Sequence, residues 1–395
     1  MSTLSMTNKV LFKSLEKAKF GSIRLRILEP FAEYQFGEGP LVAEVSVDRP
    51  ETLQRVVRGS DIELASAIVK EELTISDEAA FIAWACKNEE RLSNTFYGRF
   101  LGMLMPRLKK WFRPNTIDGA KRNIMAHYDL GNEFYDKWLD ASMSYSAALF
   151  NEASCSGLLF EAQQRKYDRI IDELNITSND RILEIGCGWG GFYSRAVERT
   201  GCKVTAVLNS PAQASYGRKL VGAKKLEAHV DLKLMDYRQI EGKFSKVVSI
   251  EMIEAVGQKY WPVYFAKISN SLRTGGRAMI QSITIQENKF ADYARTPDFI
   301  STMVFPGGML LTNGLIEANA RGARLQPSSA PFEFGQHYAE TLRRWRGSFL
   351  EAWDAGLLSN FDNQFRNLWR FYLAYCEGAF TAGRVNVGHF LMEKA

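Results

Sequence analysis

The densest run of chemistry-bearing residues is Ile182-Leu183-Glu184-Ile185-Gly186-Cys187-Gly188-Trp189-Gly190-Gly191. An apolar stretch carries a carboxylate near its end and opens into glycines, which let backbone approach a ligand more closely than a Cβ would allow. A glycine-rich turn alone is common to many nucleotide-binding folds. Two details set this one apart from a dinucleotide site. The spacing is E-x-G-x-G-x-G rather than GxGxxG, and Glu184 falls where its charge can meet an ammonium. Both suit the methionine part of S-adenosylmethionine (SAM), which has no phosphate to rest on a helix N-terminus. After the next strand-like run stand Asn209 and Ser210, where an acid for ribose hydroxyls is usual, with Gln213 one helical turn on. Asp236-Tyr237 follows a third run, an acid and an aromatic placed to hold adenine. Singly, an Asp after a strand is often a turn or cap residue. In this order, at successive strand ends, these residues predict a SAM site.

Such residues converge only on a parallel sheet. EAQQRKYDRIIDEL reads as helix, RILEIGC as buried strand, Gly191 to Arg199 as helix, VTAVL as strand and PAQASYGRKLV as helix. LKLMD, KVVSI and RAMIQSIT are three more strand-like runs. Apolar strands separated by helices predict a doubly wound, mostly parallel α/β sheet of the Rossmann-like SAM-methyltransferase kind, with its ligand at the strands' carboxyl ends. Residues 285–330 read as an insertion capping that sheet. Ahead of it, SIRLRIL, AEYQF and LVAEVSV alternate as strands, and Asp48 and Pro50 open a helix. The chain therefore divides into a small α+β domain over 1–115 and a catalytic domain over 116–395.

At 395 residues two domains are expected, and 46% hydrophobic with 24% charged residues is ordinary for a globular protein. The net charge of +5 suits visits to anionic surfaces and does not call for nucleic acid. Five scattered cysteines without a CxxC pair argue against disulfides and a structural metal, so a cytoplasmic location is expected. No run reaches the roughly 20 apolar residues of a membrane span. Residues 98–119 interleave Arg99, Arg107, Lys109, Lys110 and Arg113 with Phe100, Leu104, Trp111 and Phe112. That pattern fits a segment lying on the inner membrane surface, or a linker packed on the core.

Beyond the glycine loop, several stretches resemble the cyclopropane fatty-acid synthases and the related mycolic-acid and fatty-acid methyltransferases. They are Ala126-His127-Tyr128-Asp129-Leu130-Gly131-Asn132, Met143-Ser144-Tyr145-Ser146, Asp236-Tyr237-Arg238, Glu251-Met252-Ile253-Glu254-Ala255-Val256-Gly257, Phe305-Pro306-Gly307-Gly308 and Phe334-Gly335-Gln336-His337-Tyr338. The likeness covers residues 120–390. It implies that Tyr128, Tyr145, Ser146, Gly186, Gly188, Gln213 and Tyr237 line the SAM pocket. It also implies a bound bicarbonate as base, held by Glu254, Tyr338 and the backbone of Ile283. Two further positions of that cage depart from the family pattern. Ala147 stands where a cysteine is expected and Gln281 where a histidine is. Ala255 also replaces a histidine expected after Glu254.

The chemistry implied is attack of an isolated alkene on the methyl of SAM, which leaves a carbocation that an apolar, aromatic-walled cavity must shield. Phe305, Phe332, Trp345, Phe365, Trp369, Phe371 and Tyr375 are candidate walls, although aromatics at helical spacing usually belong to cores. Glu254 is the expected base or its anchor, and Tyr338 its orienting group. The resemblance to makers of methyl-branched acids of the tuberculostearate type, with Ala147 and Gln281, leans towards methyl or methylene transfer over ring closure. The substrate expected is an unsaturated acyl phospholipid at the membrane. A homo-oligomer and a separate reductase stay open as partners. Rival readings are a small-molecule SAM methyltransferase and a non-catalytic lipid-binding subunit.

Overall fold

A computed structural model describes residues 6–93, 130–151, 155 and 157–395. Tyr128 and the basic, aromatic segment at 98–119 lie outside the described residues. The chain forms two compact units. The first gathers the described residues up to 93 with Arg295–Val304 and Phe349–Arg384, and the second holds those from 130 to Ala294, Phe305–Ser348 and Val385–Ala395. Two stretches that the sequence reading assigned to the catalytic domain thus group with the amino-terminal unit, and they carry Phe365, Trp369, Phe371 and Tyr375.

In the first unit, β1 (Gly21–Ile27), β2 (Ala32–Glu38), β3 (Leu41–Val47) and β4 (Leu73–Ile75) form a sheet in the order β2-β1-β3-β4. Period-two alternation turns Ile23, Leu25 and Ile27 inward and leaves Arg24 and Arg26 on the outer face. Helix Pro50–Val69 begins with proline, whose missing N–H costs nothing at the first helical position. Helix Asn363–Thr381 packs against both this helix and helix Glu78–Ser93. Asp61 ties the later segments in, accepting from the Phe299 amide (3.1 Å) and the Tyr375 hydroxyl (3.0 Å).

The second unit is built on β5 (Arg181–Ile185), β6 (Lys203–Leu208), β7 (Val230–Leu234), β8 (Phe244–Ile250), β9 (Leu272–Ile285), β10 (Leu325–Pro327), β11 (Phe332–Glu333) and β12 (Val385–Lys394). The order is β10-β12-β9-β8-β5-β6-β7, with β11 on β12. Strands β5 to β9 run parallel, and β12 lies antiparallel to β9. Helices Leu159–Leu174, Gly191–Thr200 and Pro211–Ala223 share one core with the sheet, and Trp261–Ser271 and Asn313–Gly322 share the other. Each Val, Ile or Leu so buried contributes about 1.5–3 kcal/mol. Because β5 is flanked by β6 on one side and β8 on the other, the chain order reverses at its carboxyl end. A crevice is expected there. Strand β12, absent from the sequence expectation, places His389 beside Gln281 across the β9 ladder.

Candidate active site

A pocket opens at the carboxyl ends of β5, β6 and β8. Its wall brings together Tyr145, Ser146, Glu184, Gly186, Gly188, Asn209, Gln213 and Tyr237, as the sequence reading expects of a cofactor site. Gly186 and Gly188 take left-handed φ angles of 79° and 53°. A Cβ on Gly186 would lie 2.7 Å from Met252 Cγ, and one on Gly188 would enter open space with nothing within 4 Å. Glu184 is buried, its Oε2 accepts no hydrogen bond, and burial pushes its carboxyl well above the usual range. A buried carboxylate held by the Tyr193 backbone, with its second oxygen unserved beside open space cradled by glycine, is what a cationic ligand completes. SAM, with its ammonium and sulfonium, fits these residues.

Asp236 is placed differently. Its carboxylate accepts from the Arg238 amide (2.9 Å), Nε (2.8 Å) and Nη2 (2.6 Å) and also bonds the side chain of Asn209 in the wall, without itself lining the pocket. Tyr237, the next residue, does. Ser210 caps the Pro211–Ala223 helix by accepting from the Gln213 amide, which orients Gln213 at its first turn.

The expected catalytic residues gather around a carboxylate that the sequence reading quoted without a role. Glu251 directly follows β8 with a left-handed φ of 48°, a conformation costing a non-glycine residue about 1–3 kcal/mol. Its side chain lines the pocket. Oε1 accepts from the Ala147 amide (2.8 Å) and Gln281 Nε2 (2.6 Å), and Oε2 from the Tyr338 hydroxyl (2.9 Å). The sheet sets this up, since Gln281 pairs with Ile250 in the β8–β9 register and with His389 in the β9–β12 register. His389 Nε2 lies 2.9 Å from Gln281 Oε1, and burial keeps the imidazole neutral by pulling its pKa well below the usual value. That ring therefore donates to the Gln281 oxygen and turns the amide nitrogen towards Glu251. The imidazole missing at 281 stands one layer behind it.

Glu254 sits just behind this wall. Its Oε1 accepts from the Ile283 amide (2.6 Å) and Ser282 Oγ (3.0 Å), while Oε2 accepts nothing. Its backbone oxygen accepts from Met309 (2.8 Å), next to the Phe305-Pro306-Gly307-Gly308 turn. Burial, then the neighbouring charge of Glu251, raise its carboxyl to about 7. Glu251 is also raised by burial, against the pull of Lys166 and its three donors.

Lys166 is the second residue the sequence reading passed over. It is fully buried, donates to Ser146 Oγ, and burial lowers it to about 8. The signal was present: Ala162, Gln163, Lys166, Tyr167, Ile170, Ile171 and Leu174 share the buried face of one helix, so a lysine stands on an apolar stripe. Trp189, whose Nε1 donates to Asn132 Oδ1 (2.8 Å), also joins the wall. Tyr145 packs against Trp345 and Tyr135 at 5.2 and 5.4 Å between ring centroids, giving the pocket an aromatic flank.

The bicarbonate implied by resemblance does not fit these residues. The Ala147 amide, Gln281 and Tyr338 already serve Glu251, and the Ile283 amide serves Glu254.

Fold and pocket together define a SAM-dependent methyltransferase. Residues 116–390 match the family model of mycolic acid cyclopropane synthetase. Tuberculostearic acid methyltransferase UfaA1 of Mycobacterium tuberculosis is 36% identical over 321 residues, 77% of this chain and 74% of that protein. Cyclopropane-fatty-acyl-phospholipid synthase of Escherichia coli is 32% identical over 256 residues, 65% of this chain and 63% of that protein. The crystal structure of mycolic acid cyclopropane synthase CmaA1 complexed with SAH and CTAB superposes with a TM-score of 0.64 at 26% identity, covering 69% of this chain and 98% of that one. The chain belongs to the mycolic acid cyclopropane synthetase family.

Proposed function

We propose that this enzyme transfers the SAM methyl group to the cis double bond of an unsaturated acyl chain in a membrane phospholipid, producing a methylene- or methyl-branched chain. The observation that carries this reading is the pocket wall itself. Met143, Tyr145 and Met252 line the same pocket as Glu251, whose carboxyl is buried, a setting for an apolar nucleophile whose attack generates positive charge. Likeness to a tuberculostearic acid methyltransferase supports the branched product.

Bound against the glycine loop, SAM supplies an electrophilic methyl carbon. Glu184 holds the ammonium end, and Gly186 and Gly188 let the backbone close on it. Tyr237 and Gln213 flank the adenosine part, with Asn209 at the ribose. Tyr145, backed by Trp345, turns an aromatic face towards the developing cation and helps exclude water. A methylene product becomes a saturated methyl branch only by hydride addition, so a separate reductase is the partner class implied.

Catalysis is assigned to 116–395, with lipid or partner binding, or pairing with a second copy, assigned to 1–115. The β1–β2 turn supports a peripheral contact with the cytoplasmic membrane face, because it exposes Leu28 and Phe31. No helix among the described residues is long and apolar enough to cross a membrane.

The test is incubation with methyl-trideuterated SAM and oleoyl phospholipid vesicles, followed by lipid mass spectrometry. A methylene branch retains two deuteriums and is cleaved by ozone to a ketone. A ring of the same mass resists ozone and would assign ring closure instead. No labelled acyl product would remove lipid as the acceptor.

A further inference from the structure

We propose that the Glu251 carboxylate is this enzyme's own general base, occupying the seat where the resemblance placed a bicarbonate ion. The inference rests on the alkene-methylation reading above and names the proton acceptor within it.

Geometry carries the argument. Three of the expected cage positions, the Ala147 amide, Gln281 and Tyr338, donate to the two oxygens of Glu251 at 2.6–2.9 Å. These donors meet a carboxylate as they would meet a free carboxylate-like anion, with a planar O–C–O group satisfied at both ends. The missing thiol at 147 is accounted for, because the backbone N–H bonds instead of a side chain. Glutamine at 281 is accounted for too, since its amide donates while His389 fixes its direction. Glu251, with its left-handed backbone, lines the same pocket as Gly186 and Met252. Glu254 keeps one oxygen on Ile283 and Ser282 behind the wall, where it buttresses the seat.

The step balances without a further reactant. The alkene's π pair forms a carbon–carbon bond to the methyl as its bond to sulfur breaks, leaving that pair on sulfur. A hydride shift from the methylated carbon moves the cation onto that carbon. Glu251 then takes one proton from the new methyl, and the C–H pair forms the carbon–carbon double bond of the methylene branch. Without the shift, the same proton loss closes a ring. The proton leaves Glu251 for solvent after product release.

The test uses the full-length enzyme, oleoyl phospholipid vesicles and bicarbonate-free buffer. Wild type should turn over equally with and without added bicarbonate. Glu251→Gly suits the left-handed backbone and empties the seat. It should lose about 10²–10⁴-fold in turnover, keep SAM binding by calorimetry, and recover part of its rate with bicarbonate or formate. Glu251→Gln should lose as much and recover nothing. Carbon-13 NMR with labelled bicarbonate should detect binding to Glu251→Gly and none to wild type. A bicarbonate-dependent wild type, bicarbonate bound to wild type, or an undiminished Glu251→Gly would overturn the proposal. If wild type methylates no lipid, the functional reading fails by itself, and the NMR comparison still decides what fills the seat.

Discussion

The outer face of the β1–β3 sheet and the pocket at the end of β5 and β8 both gather carboxylates, yet to opposite effect. On the sheet, strand register sets Arg24 against Glu44 and Arg26 against Glu33, and Arg26 Nη1 also donates to Glu44 (2.8 Å). Water reaches all four, and the Arg26 guanidinium holds Glu33 below the usual carboxylate range. Such pairs are screened and stabilise weakly. In the pocket, Glu184, Glu251 and Glu254 face mainly neutral donors and one ammonium, Lys166, and burial pushes all three up. A carboxylate matched by arginine in water is scaffolding. One oriented by neutral donors in a dry site keeps its basicity for chemistry.

Removing the charge where it should matter most is the strongest way to break that contrast. Glu184→Gln should weaken SAM binding on the order of 100-fold by calorimetry, as expected for stripping a buried partner from a ligand cation. An unchanged affinity would put Glu184 on a par with the sheet-face glutamates. Gly188→Ala acts on space rather than charge. A left-handed alanine costs about 1–2 kcal/mol and points its methyl into the ligand's place, so SAM affinity should drop about tenfold.

Glu254 sharpens the comparison through pH. Its folded value of about 7 lies above the ordinary 4.5, so folding favours the protonated form. The associated stability is complete below pH 4.5 and is lost as pH rises through about 7. Thermal melts from pH 5 to 8 should show this decline, and Glu254→Gln should flatten part of it. Glu251 and Glu184, which are shifted the same way, contribute to the remainder. Smallest of all, Glu44→Gln on the sheet face should move the melting temperature by about 1–2 °C at most, less in high salt. A larger shift would mean that the arginine ladder is not the weak scaffold described.

Much of the site was legible along the chain because it follows strand ends. Glu184, Gly186, Gly188, Asn209, Gln213 and Tyr237 each sit within a few residues of a strand terminus, and period and glycine spacing locate those termini. Their convergence follows from any parallel sheet that reverses at β5. Lys166 was readable in principle, as a charge on an apolar helical stripe. Asp236 shows what strand-end position leaves open, since its carboxylate is shared between Arg238, two residues on, and Asn209 of the pocket wall.

What the sequence alone determined, then, is the α/β class, the glycine cradle and a set of groups that the structure gathers around buried carboxylates. Which carboxylate those groups serve was decided only in three dimensions. Glu251 and Glu254 are three residues apart, and one-dimensional spacing cannot say which faces the pocket. A left-handed backbone at Glu251, and a sheet register lining up Ile250, Gln281 and His389 from three separated strands, made that choice.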